Sequence, residues 1–278
     1  MGFRVSHNPK AWPVIYHGNG PSKKNPIFKD LVEKIQNQYG CKEDRPIDAD
    51  ITVLTWSIPE ETTMLEECFD KMGIKGELIV IPLSKPINWL DKIKKTKEYL
   101  KKIDTKYVMG LDSTDILIST DKRGQKTLWY DIIKTFRSLN CKLLFNAEKY
   151  NWPSSDGRGC NIKDIDSMNG YLLAELIKTE KFEEKMYRDF LGSKFFRLNS
   201  GAFIGYTDYT KEFYQTLCDE HVDRFYANGT NEGLFGGDQG FIRIMQTKCF
   251  PDLTIDYRNK IFLAFAGIEK EDIAGVWQ

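Results

Sequence analysis

The chain has 278 residues, enough for one large domain or two small ones. Forty Lys and Arg balance forty Asp and Glu, so no overall field favours nucleic acid or an anionic membrane, and a partner must be recognised by a local site. No apolar run reaches the ~18 residues of a membrane-spanning helix, and the opening MGFRVSHNPK lacks the apolar core of a signal peptide.

Gly2 with Ser6 fits the loose N-myristoylation pattern. The first segment with chemical content is His17-Gly-Asn-Gly-Pro-Ser-Lys23. Gly18 and Gly20 let backbone amides approach an anion, Lys23 supplies a point charge for phosphate, and the neutral imidazole of His17 can bind a metal. A plain glycine-rich turn would read the same way. Residues 24–50 join this segment to the rest. The expected division is residues 1–50, an N-terminal segment with the loop and a helix, and residues 51–278, the main domain.

Buried strands are expected at Ile51–Thr55, Glu77–Pro82, Tyr107–Leu111 and Lys142–Phe145, which are short, apolar and bounded by polar or turn residues. Helical spacing separates them. Met64, Leu65, Cys68, Phe69 and Met72 share one face within Glu60–Met72; Ile93, Leu100 and Ile103 mark a second helix; Trp129, Ile132, Ile133, Phe136 and Leu139 mark a third. Alternating strands and helices predict an α/β, Rossmann-like architecture, a mostly parallel sheet flanked by helices. Such sheets bind ligands beyond the carboxyl ends of their strands. Asp112 and Asp115 stand at one such end, and a divalent cation favours carboxylate oxygens there; Asp-x-x-Asp is also an ordinary turn sequence. Thr55 closes the first strand and joins the candidate nucleotide-binding residues.

The second half is less regular. A loop is expected over Ser154–Ile165, helices over Gly170–Phe190 and Tyr209–Phe225, a strand over Arg197–Tyr206, and a glycine-rich loop over Ala227–Gly237. Asn199 and the pair Asp238-Gln239 carry short polar side chains suited to sugar hydroxyls, though each also forms turns readily. Trp152 can stack on a sugar or pack against its proline neighbour. The cysteines (Cys41, Cys68, Cys141, Cys160, Cys218 and Cys249) are scattered without a CxxC pair, so free buried thiols in a reducing compartment are expected.

Taken together, VIYHGNGPSK, VMGLDSTDILIS, LLFNAEKYNWP, FRLNSGAFIGY, GGDQGF and IDYRNKIF resemble the glycosyltransferase domain of the multifunctional procollagen lysyl hydroxylases. The resemblance implies a GT-A fold, a UDP-sugar donor and Mn²⁺. It also implies retaining transfer of a hexose, glucose ahead of galactose, to galactosyl-hydroxylysine in collagen-like polypeptides. By the same resemblance Asp112, Asp115 and His17 hold the metal, and Gly18, Gly20 and Lys23 hold the diphosphate. Lys92 contacts the donor, Asn199, Asp238 and Gln239 lie near the reacting sugar or acceptor, and Trp152 edges the site. An endoplasmic-reticulum location would follow too; no nucleic acid or membrane span is expected, and homo-oligomerisation is left open.

Two departures stand out. The HGNGP segment follows IDYRNKIF in the family, whereas here it precedes everything. Either the domain is circularly permuted, or the segment serves a neighbouring domain or another protomer. Tyr257 stands where the family has His. Of the three histidines, His7, His17 and His221, only His221 opens a His-x-Asp pattern, with Asp223; hydroxylation by an iron centre, which needs two histidines and a carboxylate together, is not expected. The competing readings are a silent GT-A-like binding module and a GT-A transferase acting on glycan or lipid-sugar acceptors.

Overall fold

The computed structural model describes residues 13–38, 50–59, 63–72, 78–85, 87–119, 128–156, 158, 169–223 and 235–269. Gly2, Ser6, His7, Cys41, Cys160, most of the loop expected over 154–165 and the stretch 224–234 lie outside the described residues.

Six strands form the main sheet. They are β2 (Ile51–Ser57), β3 (Leu78–Pro82), β4 (Tyr107–Asp112), β6 (Leu143–Glu148), β7 (Arg197–Tyr206) and β8 (Leu253–Ile255), in the order β3-β2-β4-β7-β6-β8. Pairings β2–β3, β2–β4 and β6–β8 are parallel, and β7 alone runs against its neighbours β4 and β6. The expected parallel α/β sheet is therefore present with one antiparallel strand inside it. Its strands are apolar because helices cover them: α2 (Met64–Lys71), α3 (Trp89–Leu100), α4 (Leu128–Ser138) and α6 (Thr207–Leu217) each bury an apolar stripe. Thr63 starts α2 with a capping box shared with Glu66, which satisfies two otherwise orphaned amides.

Helix α5 (Asn169–Glu183) passes into a π-helical turn over Glu184–Phe190, and α6 passes into another over Cys218–Val222. Beyond the second, α7 (Asp238–Ile244) and α8 (Gln246–Cys249) precede β8. No helix among the described residues is long and apolar enough to cross a membrane. Cys68, Cys141 and Cys218 are buried and in no disulfide; burial pushes Cys141 up to about 12 and Cys218 to about 11.

A second sheet decides where the N-terminal segment belongs. Strand β1 (Ile15–His17) lies between β5 (Ile116–Ile118), antiparallel to it, and β9 (Phe262–Ala264), parallel to it. Backbone bonds from Val14 and Ile15 to the Ile261 carbonyl, and from Phe265 to the His17 carbonyl, hold it at both ends. Ile15, Tyr16 and, from α1 (Pro26–Gln38), Phe28 and Leu31 belong to the same buried cluster as the main-sheet residues. Residues near the two ends of the chain thus pair with each other, and the HGNGP loop sits on this chain's own sheet.

Candidate functional site

The carboxyl ends of β2, β4 and β6 open into a cavity of about 1510 Å³. The turn Asp112–Asp115 separates β4 from β5, so both acids leave the sheet at its mouth. Strand β1 delivers His17 to the same point. His17 Nε2 lies 3.6 Å from Asp112 Oδ2 and 3.4 Å from Asp115 Oδ1. Among the described residues, these three form a group whose ligating atoms all lie within 4.8 Å of one another.

The donor set fits a divalent cation. Asp115 Oδ1 is buried and accepts no hydrogen bond, a cost that a positive ion would remove. One imidazole nitrogen and two carboxylates suit a borderline metal. His17 Nδ1 faces Asn199 Oδ1 at 3.0 Å. With the proton on Nδ1 the ring donates to that carbonyl, and Nε2 keeps its lone pair toward the acids. The space for the imidazole is made by a glycine: a Cβ on Gly201 would stand 2.1 Å from His17 Cε1 and 2.7 Å from Asp112 Oδ2. Residues 199–201 occupy an irregularity of β7, where the pairing with β6 jumps from Phe145↔Phe203 to Asn146↔Asn199. Such bulges redirect side chains beside sites.

The charges are strongly linked. Burial opposes ionisation of Asp115, but His17 and Lys23 outweigh it and hold the carboxyl down at about 2. Burial likewise opposes protonation of His17, yet Asp115 and Asp112 raise its pKa above the ordinary imidazole value. For Asp112 burial wins over Lys92 and His17, and its pKa is raised. Lys23 reaches Asp115 Oδ2 at 3.1 Å and donates to Thr114 Oγ1 at 3.0 Å. Lys92, buried on α3, bridges Asp112 Oδ1 at 2.8 Å and Asp238 Oδ2 at 2.9 Å, and its ammonium lies 4.4 Å from the centre of the Trp56 ring.

The expected residues do not all converge. His17, Gly20, Lys23, Lys92, Asp112, Asp115, Trp152, Asn199, Asp238 and Gln239 line the cavity. Thr55 does not. It is fully buried within the sheet, where its hydroxyl donates to the Leu111 carbonyl; β2 runs on to Ser57, so Thr55 does not end the strand and its role is structural. Gly18 also stays out of the cavity: its amide donates to the Asp115 carbonyl, and a Cβ there would meet the Phe28 ring at 2.5 Å. Gly20 is a glycine for another reason, a positive φ of 57° with open space beside it.

Scans against protein-family models and against curated proteins return no match. The site's geometry therefore bears the functional argument.

One residue escapes the sequence reading. Glu148 ends β6 just as Asp112 ends β4, and lies buried on the cavity wall. Gln239 Nε2 donates to its Oε1 at 2.7 Å and Asn19 Nδ2 to its Oε2 at 2.6 Å. Burial raises its pKa to about 7 against the pull of Gln239, so this carboxyl can gain or lose a proton near neutrality. The available signal was the acid at the end of LLFNAE, hidden because the strand is expected to stop at Phe145. Asn199 Nδ2 and the Ser200 amide both donate to Gln239 Oε1 at 3.3 Å. A chain of amides thus links His17, through Asn199 and Gln239, to Glu148.

Proposed function

We propose that this chain is a metal-dependent glycosyltransferase of GT-A type, moving a hexose from a UDP-sugar to a hydroxyl acceptor. The observation that supports it most is the meeting of His17 with Asp112 and Asp115 at a strand-end cavity, since those segments are remote in sequence. In this reading the three residues hold Mn²⁺. Bound there, the ion supplies Lewis-acid stabilisation of the charge that grows on the departing diphosphate.

The chain's own groups do the rest. Lys23 and the backbone around Gly20 bind diphosphate oxygens. Lys92 balances Asp112 and Asp238 beneath the sugar and fixes the direction each carboxylate faces. Asp238 and Gln239 orient the hexose or the acceptor, and Glu148 holds or takes the proton of an accepting hydroxyl at Oε1 or Oε2. Trp152 offers a ring face to a sugar. The collagen-type acceptor, galactosyl-hydroxylysine, and glucose as the hexose come from the family resemblance, as does retention of configuration. The position of the HGNGP loop against this chain's own acids supports a transferase over a silent binding module.

The test is UDP release from UDP-glucose with and without Mn²⁺. Asp112→Ala should abolish metal-dependent release while leaving the circular-dichroism spectrum intact. Full activity in that variant, or equal activity without metal, would remove the proposal. Collagen-type glycopeptides offered beside simple sugars separate the acceptor classes.

A further inference from the structure

The loop Asn151–Pro153, of which Asn151 and Trp152 line the cavity, is held by a buried ion network that the reaction above does not use. Arg243, near the end of α7, is fully buried. Its Nε donates to Glu183 Oε1 and Oε2 at 3.0 and 3.2 Å, and its Nη2 also reaches Glu183. Nη1 donates to the Pro153 carbonyl, and Nη2 to Asn151 Oδ1 at 2.6 Å. Glu183, closing α5, further accepts from Arg197 Nη1 at 2.9 Å, Gln246 Nε2 at 2.7 Å and the Leu198 amide at 3.2 Å. Burial disfavours both charges, but their mutual attraction keeps Glu183 ionised and Arg243 protonated.

One turn earlier on α7, Gln239 donates to the Trp152 carbonyl. Three consecutive residues, Asn151, Trp152 and Pro153, are thus gripped by a single helix. The first residue of that helix, Asp238, reaches Lys92 and through it Asp112. The outward product of the gripped loop is the Trp152 indole, 48% exposed at the cavity mouth. A buried ion pair adds little stability over well-packed apolar residues. What this one adds is geometry.

We infer that Arg243, anchored on Glu183, is a positioning residue that sets the Trp152 ring against Asp238 and so governs how the acceptor seats, leaving the metal and nucleotide half untouched. The acceptor half of this inference rests on the transferase reading; the placement of Trp152 does not.

The test combines a neutral replacement of the pair, Glu183→Gln with Arg243→Met, and the milder Arg243→Lys, which keeps the charge without the planar fork. Protein labelled with 5-fluorotryptophan carries six reporters, and Trp152→Phe assigns the one of interest. In both variants the Trp152 fluorine resonance should shift or split while the others stay in place. UDP affinity should change by less than about twofold, whereas KM for the glycopeptide acceptor should rise about tenfold in the double variant, as expected of a misplaced contact. A single unmoved Trp152 resonance in a folded variant overturns the inference, and Arg243→Lys supplies that reading should the double variant not fold. A moved resonance with unchanged acceptor KM overturns its functional half. The fluorine readout needs no substrate, so a wild type without transferase activity would sink the function proposed above and leave this result legible.

Discussion

Two buried charged clusters of the molecule, one at the cavity and one away from its lining, are built on opposite principles. The cluster of His17, Asp112 and Asp115 concentrates charge and leaves Asp115 Oδ1 without a hydrogen bond. The cluster of Glu183, Arg197 and Arg243, which does not line the cavity, is just as buried, yet both oxygens of Glu183 are multiply bonded within the protein. A buried carboxylate with both oxygens bonded inside the protein is scaffold, and one that leaves an oxygen bare expects something from outside. Burial alone does not tell the two apart; the hydrogen-bond count does.

That contrast can be broken most forcefully on the scaffold side. Glu183→Ala would strand the Arg197 and Arg243 guanidiniums without their shared carboxylate, at a cost of roughly 3–5 kcal/mol for breaking a buried pair. Urea unfolding measures it, and a loss under about 1 kcal/mol would mean the network is not the scaffold described.

Glu148, on the cavity lining, gives the next largest effect. Its pKa is raised from 4.5 to about 7 in the fold, so the folded chain holds a proton there that the unfolded chain has lost. The stability associated with the protonated carboxyl is whole below pH 4.5 and disappears as pH rises through about 7, a span worth at most about 3 kcal/mol. Glu148→Gln should flatten that fall. Parallel stability profiles for wild type and variant between pH 5 and 8 would show that Glu148 titrates normally.

The smallest effect sharpens the metal side. Asn199→Leu removes the acceptor that fixes the His17 ring and should weaken Mn²⁺ binding by about 10- to 100-fold, as loss of a supporting hydrogen bond to a ligand does. Unchanged affinity by calorimetry would assign Asn199 to substrate instead.

Five of the six main-sheet strands were legible as apolar runs, and β7 was placed to the residue although its antiparallel direction was not; three-residue β8 gave no signal, and β3, expected buried, exposes Ile79 and Val80 at the sheet's edge. The small sheet was illegible. Three residues in β1, β5 or β9 carry no periodicity, and β5 merges in sequence with the run that begins at Tyr107. The candidate metal ligands were visible only because short motifs point to chemistry independently of their order. Thr55 and Gly18 misled for a shared reason: each has a suitable residue type beside the site, but its side faces the sheet or Phe28. Arg243 gave no signal at all, since nothing in FIRIMQ distinguishes a buried arginine from a surface one.

The most direct measurement is calorimetry of UDP with and without Mn²⁺, on wild type and His17→Ala. Binding of the nucleotide should require the metal in the wild type and be lost in the variant, because the N-terminal loop completes the same chain's site. Equal UDP affinity without Mn²⁺, or wild-type behaviour from His17→Ala, would contradict it.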